Sequence, residues 1–291
     1  MSNSSLTIII PSCDRPKLLQ NAIASAKANG GHDVPIIIID DGNRFPVNAS
    51  LLPAETTVLK TEGKVGAGSA RNLGVQAANT EYVLFLDDDD EFINGYVSYV
   101  LNECIPSTHK VGIANSSADV KQKSSVLSKN TSLRKAMFGA GTGLWVERQL
   151  FLDVSGFGDE QSLDEDSQFF CKLREEGVDI FASNIVGVKF APERINLPQH
   201  DSLTRNASRK TIADAYFQTA NKFIQSSKLS TRDKFDLVAR SARVISRLPQ
   251  ADIRMKYELN SKLWSPVHKL LVTLRYWIRR LKDSLRDKHN V

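Results

Sequence analysis

Cysteine is scarce in this chain. Only Cys13, Cys104 and Cys171 occur among 291 residues. The number is odd and the spacing wide, which excludes a disulfide framework and a close-spaced metal-binding pattern and points to a reducing compartment. Cys13 and Cys171 read as small buried hydrophobes. Long apolar runs are missing too, since none approaches the ~20 residues that span a bilayer. The opening residues, Met1 to Thr7, lack the basic start, apolar core and small-residue cleavage site of a secretory signal. A cytoplasmic location is therefore expected. No Gly-x4-Gly-Lys-Ser/Thr phosphate loop is present, and Gly66 to Arg71 departs from the dinucleotide fingerprint at its sixth position. Repeats and low-complexity segments are absent.

Positive charge is missing from most of the chain. The formal net charge is +5, yet Lys262–Val291 alone carries eight Lys/Arg against two Asp, leaving −1 for residues 1–261. That excludes a catalytic body that broadly binds nucleic acid. What is present is 41% hydrophobic residues, enough for a core, and 24% charged residues, typical of a folded domain.

The short, fully apolar runs Ile36–Ile39 and Tyr82–Leu86 read as strands buried on both faces, and Leu6–Ile10, apolar but for Thr7, reads as a strand too. Helices are expected from Asp14 to about Asn29, with Asp14 as cap and Pro16 in the first turn, and from about Ser69 to Ala78. Strands alternating with helices predict an α/β fold with a doubly wound, mostly parallel sheet. Further expectations are a helix near 94–103, a strand at Val111–Ala114, a mobile loop over residues 115–143, and a short strand at Leu144–Val146. A helix follows Asp164 to Asp166, then come strands at Val178–Ala182 and Ile185–Phe190. From Ser208 onward the pattern is helical, with Phe235, Val238, Ala242 and Ile245 at helical spacing. The division expected is 1–207 and 208–291.

Three buried strands end in polar clusters: Pro11 to Asp14, Asp40 with Asp41, and Asp87 to Asp90. Open α/β sheets bind ligands beyond the carboxyl ends of their strands. Five adjacent carboxylates, Asp87 to Glu91, repel one another and suit a shared hard divalent ion with phosphate oxygens completing its shell. The plain alternative is a solvated acidic turn. A calcium loop is excluded, because Phe92 stands where an EF-hand needs glycine. Gly66 to Arg71 puts a cation in the first turn of a helix, which suits an anion or a nucleotide, or is a tight turn with Arg71 in water. Asp164, Glu165 and Asp166 suit a catalytic base, or are ordinary acids at a helix start. His200, taken alone, fits a surface histidine as well as a ligand.

Taken together, these motifs resemble the family 2 glycosyltransferases, which have the GT-A fold. The resemblance covers roughly residues 5–205. It rests on Ile8 to Arg15, Ile39 to Gly42, Gly66 to Gly74 with its Ala70-Arg71-Asn72-x-Gly74 core, and Phe85 to Asp90 with its Asp-x-Asp pattern. Gly156 to Glu160 followed by Glu165-Asp166, and a late Arg194…His200…Ser202 segment, complete it. Cys13, Asp14 and Gly42-Asn43 depart from the usual residues beside the expected base pocket.

The resemblance implies an inverting, metal-dependent transfer of sugar from a nucleotide-sugar, most commonly UDP-linked, to a hydroxyl of a glycan or lipid-linked glycan. Asp166 would be the general base and Glu165 its orienting partner or an acceptor ligand. Pro11, Asp14, Arg15, Asp40, Asp41, Arg71, Asp87 and Asp88 would face the nucleotide, with Asp87 on the ribose. Asp89 would coordinate Mn²⁺ or Mg²⁺, and His200 would approach the metal or phosphate. Alternative readings are a sugar nucleotidyltransferase and a catalytically inactive homologue that binds nucleotide-sugar or glycan.

Residues 264–288 form a separate puzzle. Val267, Leu270, Leu271, Leu274, Ile278, Leu281 and Leu285 follow helical spacing, Lys269, Arg275, Arg279, Arg280, Lys282 and Arg286 supply basic charge, and Trp264 and Trp277 lie in the same stretch. Such a helix can lie in an anionic membrane interface. It can equally pack on the catalytic body or form a homo-oligomer through a twin subunit.

Overall fold

The structure is a computed structural model. It describes residues 5–30, 33–42, 44–53, 55–116, 125–133, 137, 143–158, 163–190, 207–249, 253 and 257–289. The chain forms two compact units, Met1–Thr131 with Lys135–Asp201, and Ser132–Arg134 with Ser202–Val291.

The first unit is a mixed sheet flanked by helices. Its strands are β1 Leu6–Ser12, β2 Ile36–Asp40, β3 Thr56–Lys60, β4 Tyr82–Phe85, β5 Asp90–Phe92, β6 Val111–Ser116, β7 Ser125–Leu127, β8 Trp145–Glu147 and β9 Ile180–Phe190. They lie in the order β3-β2-β1-β4-β8-β6-β9-β5, with β7 added beside β9. Its first four strands form a parallel run, β3 on β2, β2 on β1 and β1 on β4, and β6 also pairs β9 in parallel. Every residue of β1, β2 and β4 is buried, including the polar Thr7, Ser12 and Asp40 set among their apolar residues. β3, at the edge, is only partly covered.

The sheet is wound on both faces. Helix α1, Pro16–Gly30, packs on the face that carries Ile8, Ile10, Ile36, Ile38 and Leu84. Helix α2, Ala67–Ala77, lies on the other, where a Cβ on Gly74 would come within 2.5 Å of Ile9. Alternation along β1 thus feeds two cores. The chain leaves β1 for β2 on one side and returns through α2 to β4 on the other. The carboxyl ends of β1 and β4 therefore flank the point where strand order reverses, the usual ligand position in such sheets.

The second half of the sheet differs from the reading by composition. β8 enters antiparallel between β4 and β6. Residues 180–190 form one strand rather than two. Between the two expected segments the register against β6 shifts, and Ser183 Oγ accepts the Ile185 amide at 2.9 Å. Part of the expected loop over 115–143 is ordered as β7, antiparallel to β9. The helix expected near 94–103 is a short turn, α3 Tyr96–Tyr99, continued as a π-helical turn over Val100–Cys104. Two further helices, α4 Arg148–Asp153 and α5 Glu165–Glu175, complete the unit.

The second unit is helical: α6 Arg209–Phe223, α7 Thr231–Ile245 and α8 Trp264–His289. Ser208 caps α6, and Ser230 with Asp233 forms a reciprocal capping box on α7. Val238, Ala242 and Ile245 are buried, whereas Phe235 is 45% exposed and Leu237 faces inward in its place. His268 of α8 lies 3.3 Å from Ser241 Oγ and against the Phe217 ring. Among the described residues, no helix is long and apolar enough to cross a membrane.

Candidate active site

The site is built on the end of β4. After Phe85 the chain turns, with the Asp90 amide donating to the Asp87 carbonyl at 3.1 Å, and Asp90 opens β5. This turn sends alternate carboxylates to different places. Ligand atoms of Asp87, Asp89 and Asp90 all lie within 4.8 Å of one another. Three hard oxygen donors at that separation fit one divalent cation, so the residues suit Mn²⁺ or Mg²⁺. Asp90 thus belongs to this group alongside Asp87 and Asp89.

Asp88 is buried and faces Arg15, whose Nη2 lies 2.6 Å from its Oδ1. The same guanidinium reaches Asp89 at 3.3 Å. Arg15 thus ties the loop after β1 to the loop after β4, across the reversal point. Burial pushes the Asp88 carboxyl up to about 7, against the pull of Arg15 and a hydrogen bond with Ser12.

Arg71 is the second tie. It sits in the first turns of α2, 5% exposed, and its guanidinium lies 2.6 Å from Asp87 and 3.2 Å from Glu165. This arrangement excludes the alternative of a tight turn with Arg71 in water. Burial disfavours its charge, but Asp87 and Glu165 outweigh this and raise its pKa above the ordinary arginine value. Burial raises the Glu165 carboxyl, with Arg71 opposing the shift. Gly68 makes the approach possible, because a Cβ there would meet Glu165 Cγ at 2.9 Å and the Gly158 carbonyl at 3.2 Å. Asp166, half-buried, follows Glu165 in the first turn of α5 and accepts the Ser167 amide at 2.6 Å.

Beneath these groups lies an aromatic cluster. Phe85 of β4 meets Phe151 of α4 and Phe157, and both of those meet Phe169 of α5, with ring centroids 5.1–5.8 Å apart. The Arg71 guanidinium lies 5.4 Å from the Phe157 ring centre. The cluster joins the strand that carries Asp87 to the helix that carries Glu165 and Asp166.

Asp40 and Asp41 shape loops. Asp40 accepts the Gly42 and Val47 amides, and Asp41 accepts Thr61 Oγ1 and the Val65 and Gly66 amides. Asp14, at φ 58, accepts the Arg44 and Phe45 amides and the Lys64 ammonium at 2.7 Å. Hydrogen bonding to Lys64, then to those amides, holds its carboxyl well below the usual range despite some desolvation. Lys64 was missed in the sequence, since its partner lies 50 residues away. Gly42 lets the two loops touch, because a Cβ there would fall 2.7 Å from Asp14 Oδ1. Pro11 is buried within β1, opposite Ile39. Asn43, Asp159, Glu160, Arg194, His200 and Ser202 lie outside the described residues.

Residues 7–114 match the model of glycosyl transferase family 2. Similar curated proteins include the GalNAc(5)-diNAcBac-PP-undecaprenol beta-1,3-glucosyltransferase of Campylobacter jejuni, 30% identical over 104 residues and 34% of each chain. An uncharacterized glycosyltransferase of Haemophilus influenzae is 23% identical over 207 residues, 66% of each chain. The succinoglycan biosynthesis protein ExoW of Rhizobium meliloti is 33% identical over 108 residues, 32% of this chain and 33% of that protein. The matches thus span a third to two thirds of these relatives. Among solved structures, S. aureus TarS 1-349 in complex with UDP-GlcNAc aligns over 98% of this chain and 92% of its own, with a TM-score of 0.64 at 14% identity. Such identity speaks for the fold alone. The ordered motifs, the family match over residues 7–114 and the fold agree: the chain has the GT-A fold, and that stretch is similar to glycosyl transferase family 2.

Proposed function

We propose that the chain is an inverting, metal-dependent glycosyltransferase. It moves a sugar from a UDP-linked donor to a hydroxyl of a glycan or lipid-linked glycan, as in surface polysaccharide synthesis. The observation that carries this reading is the Arg71 bridge from Asp87 to Glu165. It joins the strand end suited to a nucleotide diphosphate to the helix that bears an acceptor-side base. The UDP-GlcNAc complex of TarS supports the donor class, and the undecaprenol-linked glycan in the C. jejuni relative's name supports the acceptor class.

In this reading residues 1–207 carry the chemistry and 208–291 are an extension. Asp89, with Asp87 and Asp90 beside it, holds Mn²⁺ or Mg²⁺, which when bound stabilises the charge of the departing diphosphate. Asp87 also meets the ribose. Asp40, Asp41 and Asp14 set the loops around the nucleobase, with Pro11 supporting the strand end, and Asp88 holds Arg15 toward the phosphates. Asp166 removes the acceptor proton as the hydroxyl oxygen attacks the anomeric carbon from the face opposite the leaving group, and Glu165 orients it. The carbon passes through an oxocarbenium-like state and inverts. His200 keeps its sequence-based assignment to metal or phosphate. The reaction draws on nucleotide-sugars and so belongs on the cytoplasmic side, with residues 264–288 as the segment for partner contact.

The test is a thermal-shift panel of nucleotide-sugars with Mn²⁺, followed by NMR of the product formed from the best donor. A UDP-sugar should raise the melting temperature most, and the product should carry the inverted anomer. A retained anomer, or no stabilisation by any nucleotide-sugar, contradicts the reading.

A further inference from the structure

We propose that α8 seats the chain on an anionic lipid surface, with Leu270, Leu274, Trp277 and Ile278 entering the boundary between headgroups and acyl chains. The helix has two apolar faces. Trp264, His268 and Val272, at i, i+4 and i+8, are 9%, 1% and 5% exposed. That face belongs to the helical unit, where His268 meets Ser241 of α7 and Phe217 of α6. Leu270, Leu274, Trp277 and Ile278, at i, i+4, i+7 and i+8, are instead 66%, 52%, 57% and 44% exposed. At the helical rotation per residue these four fall in a stripe roughly 100° wide. Leu263, just before the helix, is 70% exposed. Burying such side chains is favourable, so a continuous open stripe calls for an occupant.

Charge decides which occupant. Lys262–Val291 holds eight Lys/Arg against two Asp. Among the described bases, Lys269 remains 59% exposed although it lies 2.8 Å from Glu258, itself an exposed side chain. A second copy would bring the same excess of positive charge against itself. Four side chains also make a small patch beside the roughly 800 Å² per partner of a stable protein interface. A plane of anionic headgroups supplies the missing negative charge. It also takes the indole at the interface, the position tryptophan prefers. With no described helix suited to crossing a bilayer, α8 lies on the surface rather than through it.

The proposal stands apart from the glycosyl-transfer reading, because binding is measured without donor or acceptor. Full-length chain is sedimented with vesicles of phosphatidylcholine alone and of phosphatidylcholine mixed with phosphatidylglycerol. It should pellet with the mixed vesicles only, less so as salt rises, and with a blue shift of tryptophan fluorescence. The double substitution Leu274→Glu and Trp277→Glu should weaken binding at least about tenfold. Circular-dichroism melting should stay unchanged, since the stripe lies outside the packed face. Leu270→Glu should act in the same direction. Undiminished binding by the double variant, or indifference of the wild type to phosphatidylglycerol, overturns the proposal. So does a wild-type dimer in sedimentation velocity that the same substitutions split.

Discussion

Arg71 holds together groups that would otherwise repel or be stranded. Asp87 and Glu165 both approach its guanidinium, and Glu165 lies in a site where burial raises its carboxyl. Removing one member of a buried ion pair costs more than the pair contributes, because the partner's charge stays behind. Arg71→Met should therefore lower stability by about 3 kcal/mol in urea unfolding, and Arg71→Lys should restore part of it. An unchanged unfolding midpoint in Arg71→Met would show that the pair does not hold the two segments. Asp89 is a different case, since its place in the carboxylate group suits a cation. Asp89→Ala should abolish Mn²⁺-dependent UDP binding in calorimetry, and unchanged affinity would remove its metal role.

At the scale of elements, the parts of the site that could be read from sequence are those carried by one short segment. β1, β2 and β4 are predominantly apolar runs that lead into acids, so the positions of Asp14, Asp40 and Asp87 follow from strand chemistry alone. Partners contributed by distant segments could not be read this way. Arg71 and Glu165 are 94 residues apart, and the need for glycine at 68 appears only when α5 arrives against it. The antiparallel entry of β8 and the bulge at Ser183 are likewise tertiary outcomes. In the helical unit, α8 is docked through His268, whose pKa burial pushes down to about 4 from its ordinary 6.5, against a hydrogen bond with the Tyr257 backbone. The unfolded chain binds the extra proton between those values, so stability from this group is full above pH 6.5 and falls as pH drops toward 4. About 3 kcal/mol is at stake. His268→Gln should flatten that part of the stability profile in pH-dependent melting, and an unaltered slope would contradict the assignment.

Over the whole catalytic unit, sheet topology divides the labour. The parallel run β3-β2-β1-β4 ends its strands on the side proposed for the nucleotide, at the reversal point between β1 and β4. The later segments bring back α5, and the Phe85–Phe151–Phe157–Phe169 cluster with Arg71 locks that helix to the strand end. The account's central claim is that Asp166 on α5 is the base for a sugar held at Asp87 to Asp90. Turnover of a saturating donor in Asp166→Asn, set beside its donor affinity, tests this most directly. General-base loss should cut turnover by about 10²–10⁴-fold while the dissociation constant for UDP with Mn²⁺ stays within about twofold, since less than 0.5 kcal/mol of binding is touched. Near-normal turnover in that variant would contradict the claim.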